Sequence, residues 1–380
     1  MNILIACDSN VERAGVCLFI LQWIRGIEAA YRDSTIIVYF RKSVINNELK
    51  AEFESLGVKI ITGNLPECET SLSLNNRKKV RCDISDILSA FPIDVVHVNS
   101  SAVGFSCIVL SQAYKYHIPV RISHSHGRNL GNGLKNIYLF FLKGLLKCLA
   151  TRYAACSVDA GLYLFGKTGT QSDKWLFVPN TIDVDRFAFN GVERGIRRKS
   201  LGIDEGEIVI GSTGQLIVRK NHTFVLDVVA ELKKRSINVK YIVLGEGDER
   251  RKLEAKIQDL NLTKDVLLLG ETNEIPQWLS AMDIYIMPSL TEGLPIGAVE
   301  AQANGLCCLF STGVPKDIDL TDDVYHLRLE NNVGEWADLI ENLPPKTNAQ
   351  RLDGATIVTQ AGFSSKLTPE YVKELYKNCE

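Results

Sequence analysis

The chain has 380 residues, more than one hydrophobic core usually accommodates, so two domains are expected. Apolar residues at 46% and charged residues at 23% are the balance of an ordinary globular protein. A formal net charge of −2 gives no global argument for a nucleic-acid partner, and none is expected, so any anionic ligand must be held by a local site.

Short apolar runs alternate with longer amphipathic ones, the pattern of parallel sheets covered by helices. In the first half, strands are predicted at Asn2–Cys7, Thr35–Phe40, Val58–Ile61, Val95–Val98, Val120–Ser123 and Ala154–Cys156. Helices fall between them at 15–31, 76–90, 104–116 and 134–150. A second series follows Trp175–Val178, with strands at Ile208–Ser212, Lys240–Leu244, Val266–Leu269, Ile284–Met287 and Cys307–Phe310. Its helices are predicted near 221–236, 249–260, 274–281, 295–304 and 332–342. The turn-forming cluster Pro179-Asn-Thr-Ile-Asp183 separates the two. The expected domains are therefore 1–178 and 179–365, with a last helix in 366–380 returning to the first domain. Two such arrays place a ligand crevice at the carboxyl ends of the strands.

Ten cysteines form no CxxC pair, and Cys7, Cys17, Cys107, Cys148, Cys156, Cys307 and Cys308 lie in apolar runs as small hydrophobes. A reduced, cytoplasmic setting is expected. Met1–Cys7 lacks a basic n-region, and no run reaches the roughly 18 apolar residues of a membrane span. The expectation is a soluble chain, touching a membrane at most from its surface. The basic, aromatic stretch Leu134–Lys147 suits such contact, or equally a helix packed on its sheet with its lysines outward.

The chemistry concentrates in Pro288-Ser-Leu-Thr-Glu292-Gly293-Leu294-Pro295-Ile-Gly-Ala-Val-Glu300. A buried strand ends at Met287 and a helix starts near Pro295. Its unpaired amides and positive dipole end suit a diphosphate. Glu292 precedes the helix and Glu300 lies inside it, so one carboxylate sits near the phosphates and the other farther off, toward a ribose. The bland reading is a capping glutamate and a solvated one. After the earlier strand, Gly214-Gln215-Leu-Ile-Val-Arg219-Lys220-Asn221-His222 sets two cations before a helix beginning near Thr223, placed to neutralise a leaving diphosphate. Gly245-Glu-Gly247 is a further strand-end turn.

The first of these segments resembles the E-x7-E signature of the retaining glycosyltransferases of family 4, which have the GT-B architecture: two Rossmann-like, doubly wound α/β domains facing across a cleft. The resemblance implies that Glu292 contacts the donor sugar, that the backbone of Gly293, Leu294 and Pro295 approaches it, and that Glu300 binds the ribose. Lys220 matches the family lysine, whereas the family arginine is replaced by Gln215. Either Arg219 substitutes, or the site has one cation fewer, or activity is reduced. Gly214, Gly245 and Gly247 correspond to backbone turns along the nucleotide.

In the first half, the loop Asp8–Gly15 retains only Gly15 of the glycine pair frequent in the family, as a phosphate-side turn. Pro119-Val-Arg-Ile-Ser-His124-Ser-His126-Gly127 is similar to a segment of bacterial capsule and exopolysaccharide transferases, as is Ala155–Gly166. One histidine there meets the donor sugar; His126 is favoured, and one residue of register would select His124. Both being satisfied strand-end residues is the plain alternative, and His97 is read as a core residue. What the resemblance implies is a hexosyltransferase moving a sugar, with a UDP donor, to a saccharide or lipid-linked acceptor in polysaccharide biosynthesis. It implies no metal and no cofactor. A UDP-sugar epimerase of the same fold and a catalytically weak sugar-nucleotide-binding subunit are the alternatives.

Overall fold

A computed structural model of the chain describes residues 1–9, 15–42, 46–65, 73–127, 135–204, 206–330 and 332–377. They form two compact units, Met1–Thr181 with Ser365–Glu380, and Ile182–Ser364.

The first unit has strands β1 (Asn2–Cys7), β2 (Thr35–Lys42), β3 (Lys59–Leu65), β4 (Val95–Asn99), β5 (Val120–Ser125), β6 (Arg152–Ala155) and β7 (Trp175–Phe177). They pair in parallel in the order β3-β2-β1-β4-β5-β6-β7. β1 shows why the strand reads as one apolar run. Ile3, Ile5 and Cys7 pack to one face with helix Gly15–Ala30, while Leu4 and Ala6 pack to the other with helices Leu74–Ala90 and Val103–Lys115. Helix Thr368–Leu375 lies against Gly15–Ala30, where a Cβ on Gly26 would stand 2.5 Å from Thr368 Cγ2. Just beyond it, the Tyr376 hydroxyl accepts from Trp23 Nε1 at 2.9 Å and pairs with His97 Nδ1 at 3.0 Å, all within the core. Tyr376→Phe is therefore expected to cost about 2 kcal/mol in urea unfolding, two buried hydrogen bonds lost at roughly 1 kcal/mol each. An unchanged midpoint would show that these bonds contribute nothing.

The second unit has β8 (Ile208–Thr213), β9 (Val239–Leu244), β10 (Val266–Gly270), β11 (Ile284–Met287), β12 (Cys307–Ser311) and β13 (Val324–Leu327), parallel in the order β10-β9-β8-β11-β12-β13. Arg351 of helix Asn348–Gln360 is buried, and its guanidinium donates to the carbonyls of Leu279, Ser280, Met282 and Asn304 while lying 4.2 Å from the Phe189 ring. This one side chain satisfies backbone groups of two neighbouring segments.

In both sheets the chain reverses its direction of winding between two central strands, β1 and β4 in one, β8 and β11 in the other. The carboxyl ends of those strands are where open α/β sheets hold ligands. Among the described residues no helix is long and apolar enough to cross a membrane.

Several expectations need correction. β13 adds to the predicted strands: Val324–Leu327 is a short edge strand, partly exposed, and so lacks the buried apolar run that marks the others. Helices Asn47–Ser55, Val158–Thr170, Gly191–Ser200 and Asn348–Gln360 add to those predicted. Cys148 is exposed, not buried, since it falls on the outer side of its helix. Leu134, and Asn10 to Ala14 of the loop before Gly15, lie outside the described residues.

Candidate functional site

In the second unit, the segment after β8 and the loop after β11 are tied together. Leu290 N donates to Arg219 O at 2.8 Å, Arg219 Nη1 to Thr291 O at 3.1 Å, and Asn221 Nδ2 to Pro288 O at 3.3 Å. Asn221 adopts a left-handed conformation (φ 54°), which asparagine tolerates, between the turn Val218–Lys220 and helix His222–Lys234. Its amide bridges to the opposite loop and does not cap the helix. From the other side, Glu292 N donates to Gly313 O at 3.0 Å, beyond β12.

These ties bring three charges together. Lys220 Nζ stands 2.8 Å from Glu292 Oε1, and Arg219 Nη1 2.6 Å from Oε2. The Glu292 side chain is only 5% exposed, Lys220 15% and Arg219 43%. Burial by itself would raise the Glu292 carboxyl, but Lys220 and then Arg219 outweigh it and hold the group below its ordinary value. Gln215 is exposed, so the uncharged residue stands aside and the second cation at this carboxylate is Arg219.

Helix Ile296–Ala303 begins three residues beyond this loop. Pro295 is its N-cap residue, not part of its first turn, and no side chain caps it. Its first amides and positive dipole end therefore suit an anion. A Cβ on Gly297 would lie 2.5 Å from Thr213 Oγ1 and 2.7 Å from the Tyr285 hydroxyl, so the helix start presses directly on the ends of β8 and β11. Gly293 is half-buried and Leu294 buried. Inside the helix, burial pushes the Glu300 carboxyl up to about 7, with Arg186 opposing. The two glutamates thus differ in kind: one is held ionised, the other is poised to titrate near neutrality.

The glycine turns pack against each other. Gly245 has φ 150°, and a Cβ there would come within 2.0 Å of Gly214 O. Leu216 N donates to Glu246 O at 2.8 Å, next to Gly247. Gly245→Ala is expected to force these loops apart and cost about 2 kcal/mol in urea unfolding. An unchanged midpoint would show that the turn tolerates a side chain. Behind Lys220, buried His222 pairs through Nδ1 with the Tyr241 hydroxyl at 3.0 Å, which donates to Ser212 Oγ, which donates to Ile286 O at 2.7 Å. That line joins the helix start to the strand leading into the Glu292 loop. Burial, then Lys220, lowers His222 to about 4.

In the first unit, β5 runs to Ser125, so His124 lies inside the strand and not beyond it. It is fully buried, its ring stacked between His97 at 5.3 Å and His126 at 4.3 Å, with Nδ1 3.1 Å from His97 Nε2. His126 is partly exposed and donates through Nε2 to Asn99 Oδ1 at 2.8 Å, which leaves Nδ1 as acceptor. Burial holds His97 and His126 near 3 and His124 well below its ordinary value, so all three are neutral at physiological pH. Gly15 is the exposed first residue of its helix. Asn99, the partner of His126, was missed as a site residue because the β4–β5 register that brings them together is long-range. Asp8 was missed too. It pairs with buried Arg41 Nε at 2.5 Å at the end of β1, and burial raises it to about 6 against that pairing. Its sequence neighbours gave no sign of the arginine.

Among the described residues, no three His, Cys, Asp or Glu side chains group as metal ligands. Two doubly wound parallel units, the second with charged and backbone donors at its switch point, are the components of the GT-B architecture. Anabaena HepE, crystallised with UDP-glucose, has this fold, with a TM-score of 0.76 at 18% identity over 98% of both chains. A Bacillus subtilis protein named as the glycosyltransferase EpsF is 31% identical over 363 residues, 94% of this chain and 92% of its own. Escherichia coli UDP-Gal:alpha-D-GlcNAc-diphosphoundecaprenol alpha-1,3-galactosyltransferase is 26% identical over 255 residues, 65% of each chain. The glycosyl transferases group 1 family matches residues 193–342, and the chain belongs to it.

Proposed function

We propose that the protein is a retaining, metal-independent hexosyltransferase of family 4. It moves a sugar from UDP to a saccharide, free or carried on a lipid diphosphate, during polysaccharide assembly in the cytoplasm. The observation that carries this reading is the ionised Glu292 held between Lys220 and Arg219 beside an uncapped helix start.

As the bond between sugar and diphosphate breaks, negative charge grows on the phosphate oxygens. Lys220, Arg219 and the amides of helix Ile296–Ala303 stabilise that charge more than the ground state. They supply the positive charge that a divalent ion supplies elsewhere, which supports a metal-free reaction. Glu292 accepts hydrogen bonds from the sugar hydroxyls and Glu300 from the ribose. The Nδ1 of His126 is suited to accept from a substrate hydroxyl. A UDP donor draws support from HepE, and a lipid diphosphate acceptor from the name of the E. coli relative. Gln215 in the family's arginine position favours one second reading, a weakly active or inactive binding subunit.

Incubating the protein with nucleotide sugars and saccharide acceptors in EDTA should release UDP only when acceptor is present. The product, by NMR, should keep the donor's anomeric configuration. UDP binding without turnover would select the inactive subunit, release without acceptor transfer would oppose both, and an inverted product would end the retaining assignment.

A further inference from the structure

Helix Lys135–Leu149 is apolar on two sides. Leu139, Leu142 and Leu146 pack toward the core, while Tyr138, Phe140, Phe141 and Leu145 face outward at 47, 74, 69 and 46% exposure. Positions 138, 141 and 145 are spaced as a second helical stripe, so the exposure is a property of the surface and not of one stray ring. Beside it, helix Leu74–Ala90 contributes Leu74, 82% exposed, followed by Arg77, Lys78, Lys79 and Arg81. Arg77 ties the two helices, donating through Nη1 to the Tyr138 hydroxyl at 2.8 Å with its guanidinium 5.7 Å from that ring.

Charge is as uneven as exposure. The whole chain is slightly acidic, yet no Asp or Glu occurs between Asp94 and Asp159, nor between Leu74 and Cys82. The two helices follow β5 and β3. They therefore start at the carboxyl edge of the first unit's sheet, the edge that carries Asn99 and His126.

We propose that this strip docks the protein on an anionic bilayer, with Leu74, Phe140 and Phe141 entering the headgroup region and Arg77, Lys78 and Arg81 engaging lipid phosphates. Apolar side chains rimmed by cations fit a membrane interface; helix Lys135–Leu149 carries no acid, and those of helix Leu74–Ala90, Asp83 and Asp86, follow the cations. A lipid surface is favoured over a protein partner because four cations fall within residues 77–81 and the neighbouring helix carries no acid to pair them. The docking rests on the transferase reading only for its purpose, which is to bring a lipid-carried acceptor to the edge where His126 lies.

The test is co-sedimentation of the full chain with vesicles of mixed phosphatidylglycerol and phosphatidylcholine, and of phosphatidylcholine alone. Binding should be strong and salt-sensitive on the first and weak on the second. Phe140→Ser and Phe141→Ser should each weaken it roughly tenfold. Lys78→Gln and Arg81→Gln should each weaken it roughly fivefold and flatten the salt dependence. These residues are exposed, so thermal midpoints should hold. UDP release with a water-soluble acceptor should also match the parent, and its absence in parent and variants alike would count against the transferase reading alone. No vesicle binding, or equal binding to both vesicle types, overturns the docking face. So does a change in the protein's own sedimentation in the serine variants with vesicle binding unaltered, which would assign the strip to contact between copies of the chain.

Discussion

Lys220→Met is expected to lower kcat/KM for sugar transfer by about 10²- to 10³-fold, roughly 3–4 kcal/mol of transition-state stabilisation, with most of the loss in kcat. Lys220 is largely buried and 2.8 Å from Glu292, so its charge acts where water does little to screen it. Arg219→Gln should cost less, about tenfold, because that side chain is 43% exposed. The lysine variant carries a second signature. Burial raises the Glu292 carboxyl, and Lys220 is the largest influence opposing it. Without the lysine, burial prevails, and residual activity should rise with pH as Glu292 ionises, where the parent is flat across the same range. Variant kinetics within threefold of the parent, with no new acidic limb, would take Lys220 out of the mechanism.

Most of the fold was legible because parallel strands are buried on both faces and therefore announce themselves as apolar runs; Asn2–Cys7 and Ile284–Met287 fall where the sequence placed them. What escaped was whatever depends on partners distant in the chain. β13 is a strand only because Phe310 and its neighbours in β12 pair with it. The GT-B fold followed from a resemblance carried by residues 292–300, not from periodicity alone. At the site, the sequence set Arg219 and Lys220 near a phosphate and Glu292 near a sugar as separate groups. It gave no sign that both cations close on that one carboxylate, since the contact spans more than seventy positions. The choice between His124 and His126 turned on a single residue of register. The extension of β5 to Ser125 buries the first and leaves the second partly open.

Glu300→Gln should make the protein more stable and bind nucleoside less well, and pH separates the two effects. The folded carboxyl titrates near 7, above the 4.5 of an unperturbed glutamate, because burial penalises its ionised form. The folded state therefore holds a proton between about 4.5 and 7 that the unfolded state has released. Stability from this group is complete below 4.5, declines as pH rises through 7, and then levels off about 3 kcal/mol lower. The glutamine variant lacks that decline, so in urea unfolding at pH 8 it should exceed the parent by up to about 3 kcal/mol, and match it below pH 4.5. Uridine binding should move the other way. Ribose hydroxyls donate best to the ionised carboxylate, so the parent's affinity should climb as pH passes 7, while the variant binds about 10- to 100-fold more weakly and without pH dependence. Uridine is the right probe because it has no phosphate to titrate in the same range. A carboxylate kept at a cost in stability is the mark of a residue retained for its ligand. Equal uridine affinity in the two proteins at pH 8 would strip Glu300 of that role.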